Sequence, residues 1–111
     1  MCLETGTIDV AKVEGNVHFY DDTGGCSGAV NYLPSGWIGV SVSGYRDGNY
    51  CANTGWYSNS SSAWGYGVRW QACSKPAGIQ EFYGLSFGRL YTGVGGYFGP
   101  YTGPWSPMLG Y

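Results

Sequence analysis

Apolar and polar residues alternate along several short stretches of the chain, which is the pattern of half-buried β-strands. In residues 38–43, Ile, Val and Val occupy the even positions, whereas Gly, Ser and Ser occupy the odd ones. Residues 66–72 alternate in the same way, with Tyr, Val, Trp and Ala on one face. Further strands are predicted at 8–13, 17–20, 29–33, 50–57, 79–83 and 85–90.

Glycine and proline interrupt the chain too often for long helices. The longest segment without either residue is 56–64, and it contains Asn59 followed by three serines. Turns are predicted at 21–25, 34–36 and 46–49, where Asp47-Gly48 is a strong hairpin signal. Together the short strands and turns predict an all-β fold, a small antiparallel β-sandwich or barrel of the Greek-key type.

The C-terminal stretch is rich in Gly, Pro and Tyr, which is typical of disordered tails, but it also carries apolar anchors. Phe98, Trp105, Met108 and Leu109 are these anchors, and they predict an ordered segment. Because prolines lack the backbone N–H that a central strand needs, the prolines at 100, 104 and 107 predict that any strand in this stretch lies at an edge or rim of a sheet.

Length and charge limit the possible function classes. The 111 residues predict one domain, 1–111. Only 11% of residues are charged and the net charge is -2, so the chain lacks the basic surface that nucleic acid binding requires. No segment approaches the ~20 apolar residues of a membrane-spanning helix. We therefore expect neither a nucleic acid partner nor a transmembrane segment.

Four cysteines at 2, 26, 51 and 73 lack the CxxC spacing of zinc and redox sites, which favours disulfides. Three pairings are possible for four cysteines. Near-even spacing favours Cys2 with Cys26 and Cys51 with Cys73, because each bond then joins neighbouring segments. Disulfides indicate an oxidising compartment, and we predict a secreted, extracellular protein.

The N-terminal residues 1–15 are charged and contain no apolar targeting region, so we interpret Met1 as a start residue placed on a processed secretory chain. A lipidated Cys2 is the alternative. It would leave three thiols, an odd number for a secreted domain, and we rank it second.

Residues 17–36 resemble the opening of a Greek-key unit of the microbial βγ-crystallin superfamily. Phe19, Tyr20, Gly28 and the Leu-Pro-Ser-Gly at 33–36 carry this resemblance. It implies a Greek-key fold, but the calcium signature of that family has no clean counterpart here. Residues 45–73, from Tyr-Arg-Asp-Gly to the last cysteine, resemble small secreted actinobacterial disulfide proteins, which implies a compartment and no chemistry.

Asp21 and Asp22 could offer oxygen ligands to Ca²⁺, but such a site needs about six oxygens. Adjacent aspartates before Thr-Gly-Gly are more typical of a turn. We therefore predict no metal site and no cofactor.

Catalytic candidates are few. His18 is the single histidine, and it lies near the two aspartates in sequence. Residues 84–88 match Gly-x-Ser-x-Gly around Ser86, but no helix can follow and no histidine lies downstream. No two of the seven carboxylates form an evident acid and base pair. We predict that the protein is not an enzyme.

Five Trp and eleven Tyr exceed what the core of a small domain needs, and they are set among Gly, Ser and Asn. That mixture is typical of binding surfaces. We predict recognition of a partner protein, as by an inhibitor or a toxin-assembly subunit; the alternative is a lectin-like module that stacks sugars.

Asn59-Ser60-Ser61 is also a glycosylation sequon, relevant only to a eukaryotic source. The predicted binding residues are Trp56, Tyr57, Asn59, Trp64, Tyr66, Tyr101 and Trp105; Trp56, Asn59 and Trp64 are the best candidates for a sugar site.

Overall fold

A computed structural model describes residues 2–8, 12–19, 26 and 29–110 of the chain. The predicted all-β class is confirmed, because the described residues form nine strands and no helix. The strands are β1 (Cys2–Ile8), β2 (Lys12–His18), β3 (Ile38–Arg46), β4 (Asn49–Asn53), β5 (Tyr57–Ser58), β6 (Gly65–Trp70), β7 (Glu81–Tyr91), β8 (Tyr97–Trp105) and β9 (Leu109–Gly110).

The strands belong to two antiparallel sheets that pack face to face. One sheet has the order β1-β2-β6. The other has the order β4-β3-β7-β8, with β5 paired to β3 and β9 paired to β7. Of the two predicted closures, the described strands therefore form a sandwich rather than a closed barrel, while the Greek-key relation stays a prediction.

The core lies between the two sheets. Val17, Phe19, Ile38 and Val40 are buried together there, and Leu3, Leu33, Ala63, Tyr66, Val68 and Leu90 pack against them. The sheets approach closely at Gly15 of β2, where an added Cβ would lie 2.8 Å from the Cβ of Ser86. Glycine at this position lets β2 lie directly over β3 and β7.

The larger sheet has an inner face toward the core and an outer face on the opposite side. Val40 pairs with Gly88 and Val42 with Ser86, and these residues face β2. Because side chains alternate along strands, the intervening pairs, such as Ser41 with Phe87, belong to the outer face. No other sheet of the described residues covers the outer face.

The predicted Asp47-Gly48 turn is confirmed. Both residues have positive φ, 50° and 85°, as a two-residue hairpin between right-twisted strands requires. Asp47 Oδ1 also accepts a hydrogen bond from the backbone N–H of Glu81, at 2.8 Å. The turn is therefore tied to the start of β7.

Several predicted strand boundaries were wrong. In the predicted strand 8–13, Ile8 belongs to β1 and residues 12–13 belong to β2, which pair so that Ile8 lies opposite Lys12; residues 9–11 lie outside the described residues. Residues 50–57 are divided between β4 and β5. Residues 79–83 and 85–90 belong instead largely to the single strand β7, since Gly84 continues the ladder opposite Gly44.

The segments 17–20 and 29–33 also differ from the prediction. β2 ends at His18, and Tyr20 lies outside the described residues. Leu33 forms an isolated bridge with Ala63 and is half-buried, whereas residues 29–32 are exposed and belong to no strand. The crystallin-like segment includes residues 20–25 and 27–28, outside the described residues, so that resemblance stays a prediction.

The C-terminal segment is ordered as β8, the end strand on the path of the larger sheet. Its prolines thus occupy an edge, as predicted. The predicted disulfides are confirmed as well: Cys2 bonds Cys26 and Cys51 bonds Cys73, with Cα atoms 5.1 and 5.3 Å apart. Among the described residues, no helix is long and apolar enough to cross a membrane.

Candidate binding surface

Aromatic side chains from several strands meet on the outer face of the larger sheet. They form two ring clusters, one at each end of β3. The first comprises Tyr45, Tyr50, Tyr83 and Trp105; the second comprises Trp37, Trp56, Tyr91, Tyr97 and the guanidinium of Arg89.

Tyr45 is the centre of the first cluster. Its ring stacks on Tyr83 at 5.2 Å with an interplanar angle of 6°, because the two residues pair across β3 and β7. Tyr50 and Trp105 make edge contacts with Tyr45 at 5.7 and 5.2 Å. Trp105 nevertheless remains 57% exposed. The cluster thus holds a large exposed ring in a fixed orientation.

Arg89 is the centre of the second cluster. Its guanidinium carbon lies 4.3 Å from the ring centroid of Trp56 and 3.9 Å from that of Tyr97. Gly39 lies opposite Arg89, and a Cβ there would come within 2.7 Å of the arginine Cγ. The absence of a side chain at Gly39 therefore makes room for the arginine stem.

The predicted binding residues do not form one site. Trp56 and Trp105 lie on the outer face, whereas Tyr57 and Tyr101 pair with Val40 and Gly88 and so share the inner face. Tyr66 lies instead in β6 of the smaller sheet, and Trp64 directly precedes that strand. Strand alternation sends neighbouring rings, such as Trp56 and Tyr57, to opposite faces.

Asn59 does not present its amide to a ligand, because the residue is only 3% exposed. Its Oδ1 accepts a hydrogen bond from the Ile38 N–H at 3.0 Å, and its Nδ2 donates to the carbonyls of Pro34 and Ser61 at 3.0 and 2.8 Å. Asn59 therefore fixes its loop against the start of β3 through these three hydrogen bonds.

Sequence reasoning missed Arg89 and the pairing of Tyr45 with Tyr83. The signal was present in β7, where Tyr83, Leu85, Phe87 and Arg89 alternate with small residues. The sequence prediction placed separate strands at 79–83 and 85–90, so the alternation across Gly84 was not recognised. Between Tyr83 and Arg89, the small residues occupy the inner face and the large ones the outer face.

Trp64 belongs to a separate, shallow cavity of about 270 Å³ beside β2 and β6. Its ring stacks on His18 at 4.8 Å, and Asn16 and Tyr66 also line the cavity. Arg69 and Glu14 form an ion pair on the same sheet, at 3.0 Å. A hydrogen bond from Asn16 and the Arg69 guanidinium lower the pKa of Glu14.

The Gly-x-Ser-x-Gly match lies within β7, in a strand rather than a strand-to-helix turn. The Ser86 side chain is fully buried on the inner face, and its hydroxyl bonds that of Thr5 at 2.6 Å. It therefore lacks the exposure of a nucleophile at the top of a sheet.

Asp21 and Asp22 lie outside the described residues. Among the residues that are described, no group of three or more His, Cys, Asp or Glu side chains comes together. No protein family, curated protein or solved structure matches this chain.

Proposed function

We propose that the protein is a secreted, non-enzymatic binding protein that recognises a partner protein through the outer face of its larger sheet. The observation that supports this proposal most directly is the convergence of two ring clusters and Arg89 on one face that no other described sheet covers. Trp, Tyr and Arg are the residues that contribute most binding energy in protein interfaces.

The extent of the face favours a protein over a single sugar unit. Tyr45 and Gly39 mark the positions of the two clusters on β3 and are six residues apart, about 20 Å along an extended strand. Within each cluster the rings hold one another in place, so little side-chain entropy is lost on binding. A rigid, weakly charged face of this width is suited to a protein surface.

The two disulfides support secretion, because such bonds persist in oxidising compartments. Inhibition of a target protein and assembly with toxin subunits are the two roles that we propose for this compartment.

The test is affinity capture from culture supernatant with three oxidised baits: wild type, Tyr50→Ala and Tyr32→Ala. Tyr50 and Tyr32 are similarly exposed, at 58% and 65%, but only Tyr50 belongs to a ring cluster of the outer face. We expect a partner that binds wild type and Tyr32→Ala in a stoichiometric complex and binds Tyr50→Ala at least tenfold more weakly. Equal capture by all three baits would contradict the proposal.

A second candidate function, glycan binding, is favoured by the cavity beside Trp64. The cavity is open, and it combines the stacked rings of His18 and Trp64 with the amide of Asn16. A glycan array probed with wild type and Trp64→Ala tests this function. Signals that wild type gives and Trp64→Ala loses would support it, and an array without signal would contradict it.

A further inference from the structure

We infer that Arg89 is the anchor for a carboxylate of the partner, an Asp or Glu side chain that enters between Trp56 and Tyr97. This inference rests on the proposed function, because it names the chemistry that the outer face selects in a partner protein.

The first step of the argument is the fixed position of the guanidinium. It lies against both rings, and its stem passes over Gly39. The Nε atom of Arg89 is buried and has no hydrogen-bond partner in the described part of the chain. The rings and the β3 backbone thus enclose one side of the group and direct its other side away from the sheet.

The second step concerns the terminal amino groups of Arg89. They donate no hydrogen bond within the described residues, and unlike Nε they are not enclosed. Two parallel N–H groups match the two oxygens of a carboxylate. The rings on either side reduce access of water, which strengthens such a pair.

The third step is the local charge. Glu81, the sole acidic residue of β7, lies eight positions from Arg89, about 26 Å along the strand. Strands β3, β4, β5 and β8 contain no Asp or Glu. Within the described residues, therefore, no carboxylate of the larger sheet competes with a partner for this cation. A neutral partner would leave the guanidinium without a counter-charge when water is excluded.

The experiment uses a phage-displayed library of random peptides selected on oxidised wild type, with peptides that also bind Trp105→Ala removed. We expect the selected peptides to be enriched in Asp or Glu. Their affinity should fall at least tenfold on Arg89→Gln and less on Arg89→Lys, which keeps the charge without the paired donors. Arg69→Gln is the matched control, because Arg69 is exposed on β6 of the other sheet. The selected peptides should bind Arg69→Gln with the same affinity as wild type.

A reciprocal change separates a carboxylate contact from loss of structure. Replacing the peptide's Asp by Asn, or its Glu by Gln, should weaken binding to wild type tenfold but leave the residual binding to Arg89→Gln unchanged. Near-ultraviolet circular dichroism of Arg89→Gln should match wild type.

The possible failures are distinguishable. Peptides that require Trp105 but carry no acidic residue, and bind Arg89→Gln as well as wild type, would overturn the inference and leave the proposed function standing. If no peptide remained after removal of those that bind Trp105→Ala, both the proposed function and the inference would be overturned.

Discussion

At the scale of single residues, burial and hydrogen bonding decide what a polar side chain does. Asn59 lies in a polar Ser-rich segment, yet its amide is directed inward, where it forms hydrogen bonds with the backbone of Ile38, Pro34 and Ser61. Arg89, by contrast, lies in an apolar strand and is directed outward between rings. From their sequence neighbours alone, Asn59 would be assigned to the surface and Arg89 to the interior.

Replacing Asn59 by Ala should lower the free energy of unfolding by about 3 kcal/mol, because it leaves a buried N–H and two carbonyls without their partner. Urea denaturation measures the change. The exposed Asn31 provides the control, and Asn31→Ala should be nearly neutral. If the two variants were equally stable, the structural role of Asn59 would be wrong.

Glu14 should contribute a small acid-sensitive part of the stability. Its pKa is lowered in the folded state, first by the hydrogen bond from Asn16 and then by Arg69. A lowered pKa stabilises the fold above the unfolded value of 4.5, and this contribution is lost as the pH falls through the folded value. Glu14→Gln should therefore be less stable than wild type at pH 6, and the difference should shrink as the pH falls below 4.5. Thermal unfolding across this range checks the prediction, and a constant difference would contradict it.

At the scale of elements, the two sheets pack closely because small residues face each other. Gly15 of β2 lies against Val42 and Ser86, and Gly103 of β8 lies against Ser86 and Leu3. On the opposite side of the same sheet, large residues of β7 form the outer face. Alternate residues of β7 therefore contribute to the core of the sandwich and to the proposed binding surface.

Gly15→Ala should reduce stability by about 1 to 3 kcal/mol, because the added methyl group collides with Val42 and Ser86 in a packed interface. Gly6→Ala on the neighbouring strand β1 is the matched control: nothing lies within 4 Å of its added Cβ. We expect that control to remain within about 0.5 kcal/mol of wild type in urea denaturation. Equal losses in both variants would show that strand propensity, not packing, dominates.

At the scale of the whole molecule, each disulfide closes a loop that begins and ends in different parts of the fold. Cys51 on β4 is bonded to Cys73 in the segment that follows β6, 22 residues along the chain. This bond ties the segment after the smaller sheet to the edge of the larger one. The bond acts mainly on the unfolded chain, because it keeps these two parts close together and so lowers the conformational entropy of the unfolded state.

The double variant Cys51→Ala, Cys73→Ala should be less stable than wild type by about 3 kcal/mol in the chain-entropy model. Urea denaturation without reductant measures this difference. In wild type, a peptide map under non-reducing conditions should contain Cys2 with Cys26 and Cys51 with Cys73, and the denatured protein should have no reactive thiol. Cross-pairing in that map would contradict the fold.

Local patterns in the sequence determined the class of fold. The glycine and proline spacing excluded long helices, and the alternation at 38–43 placed β3 correctly. Asp47-Gly48 marked its turn because few other dipeptides accept positive φ at both positions. Near-even cysteine spacing favoured the disulfide pairing that the structure has. Each of these features depends on residues that are adjacent in the chain or few in number.

Only the tertiary structure decided which rings belong together. Tyr45, Tyr83 and Trp105 are far apart in sequence and meet because β3, β7 and β8 are neighbours in the sheet. The register between strands selects the face of each ring, and a shift of one residue would send each side chain to the other face. Local sequence does not specify that register; packing of the small inner residues against the second sheet does.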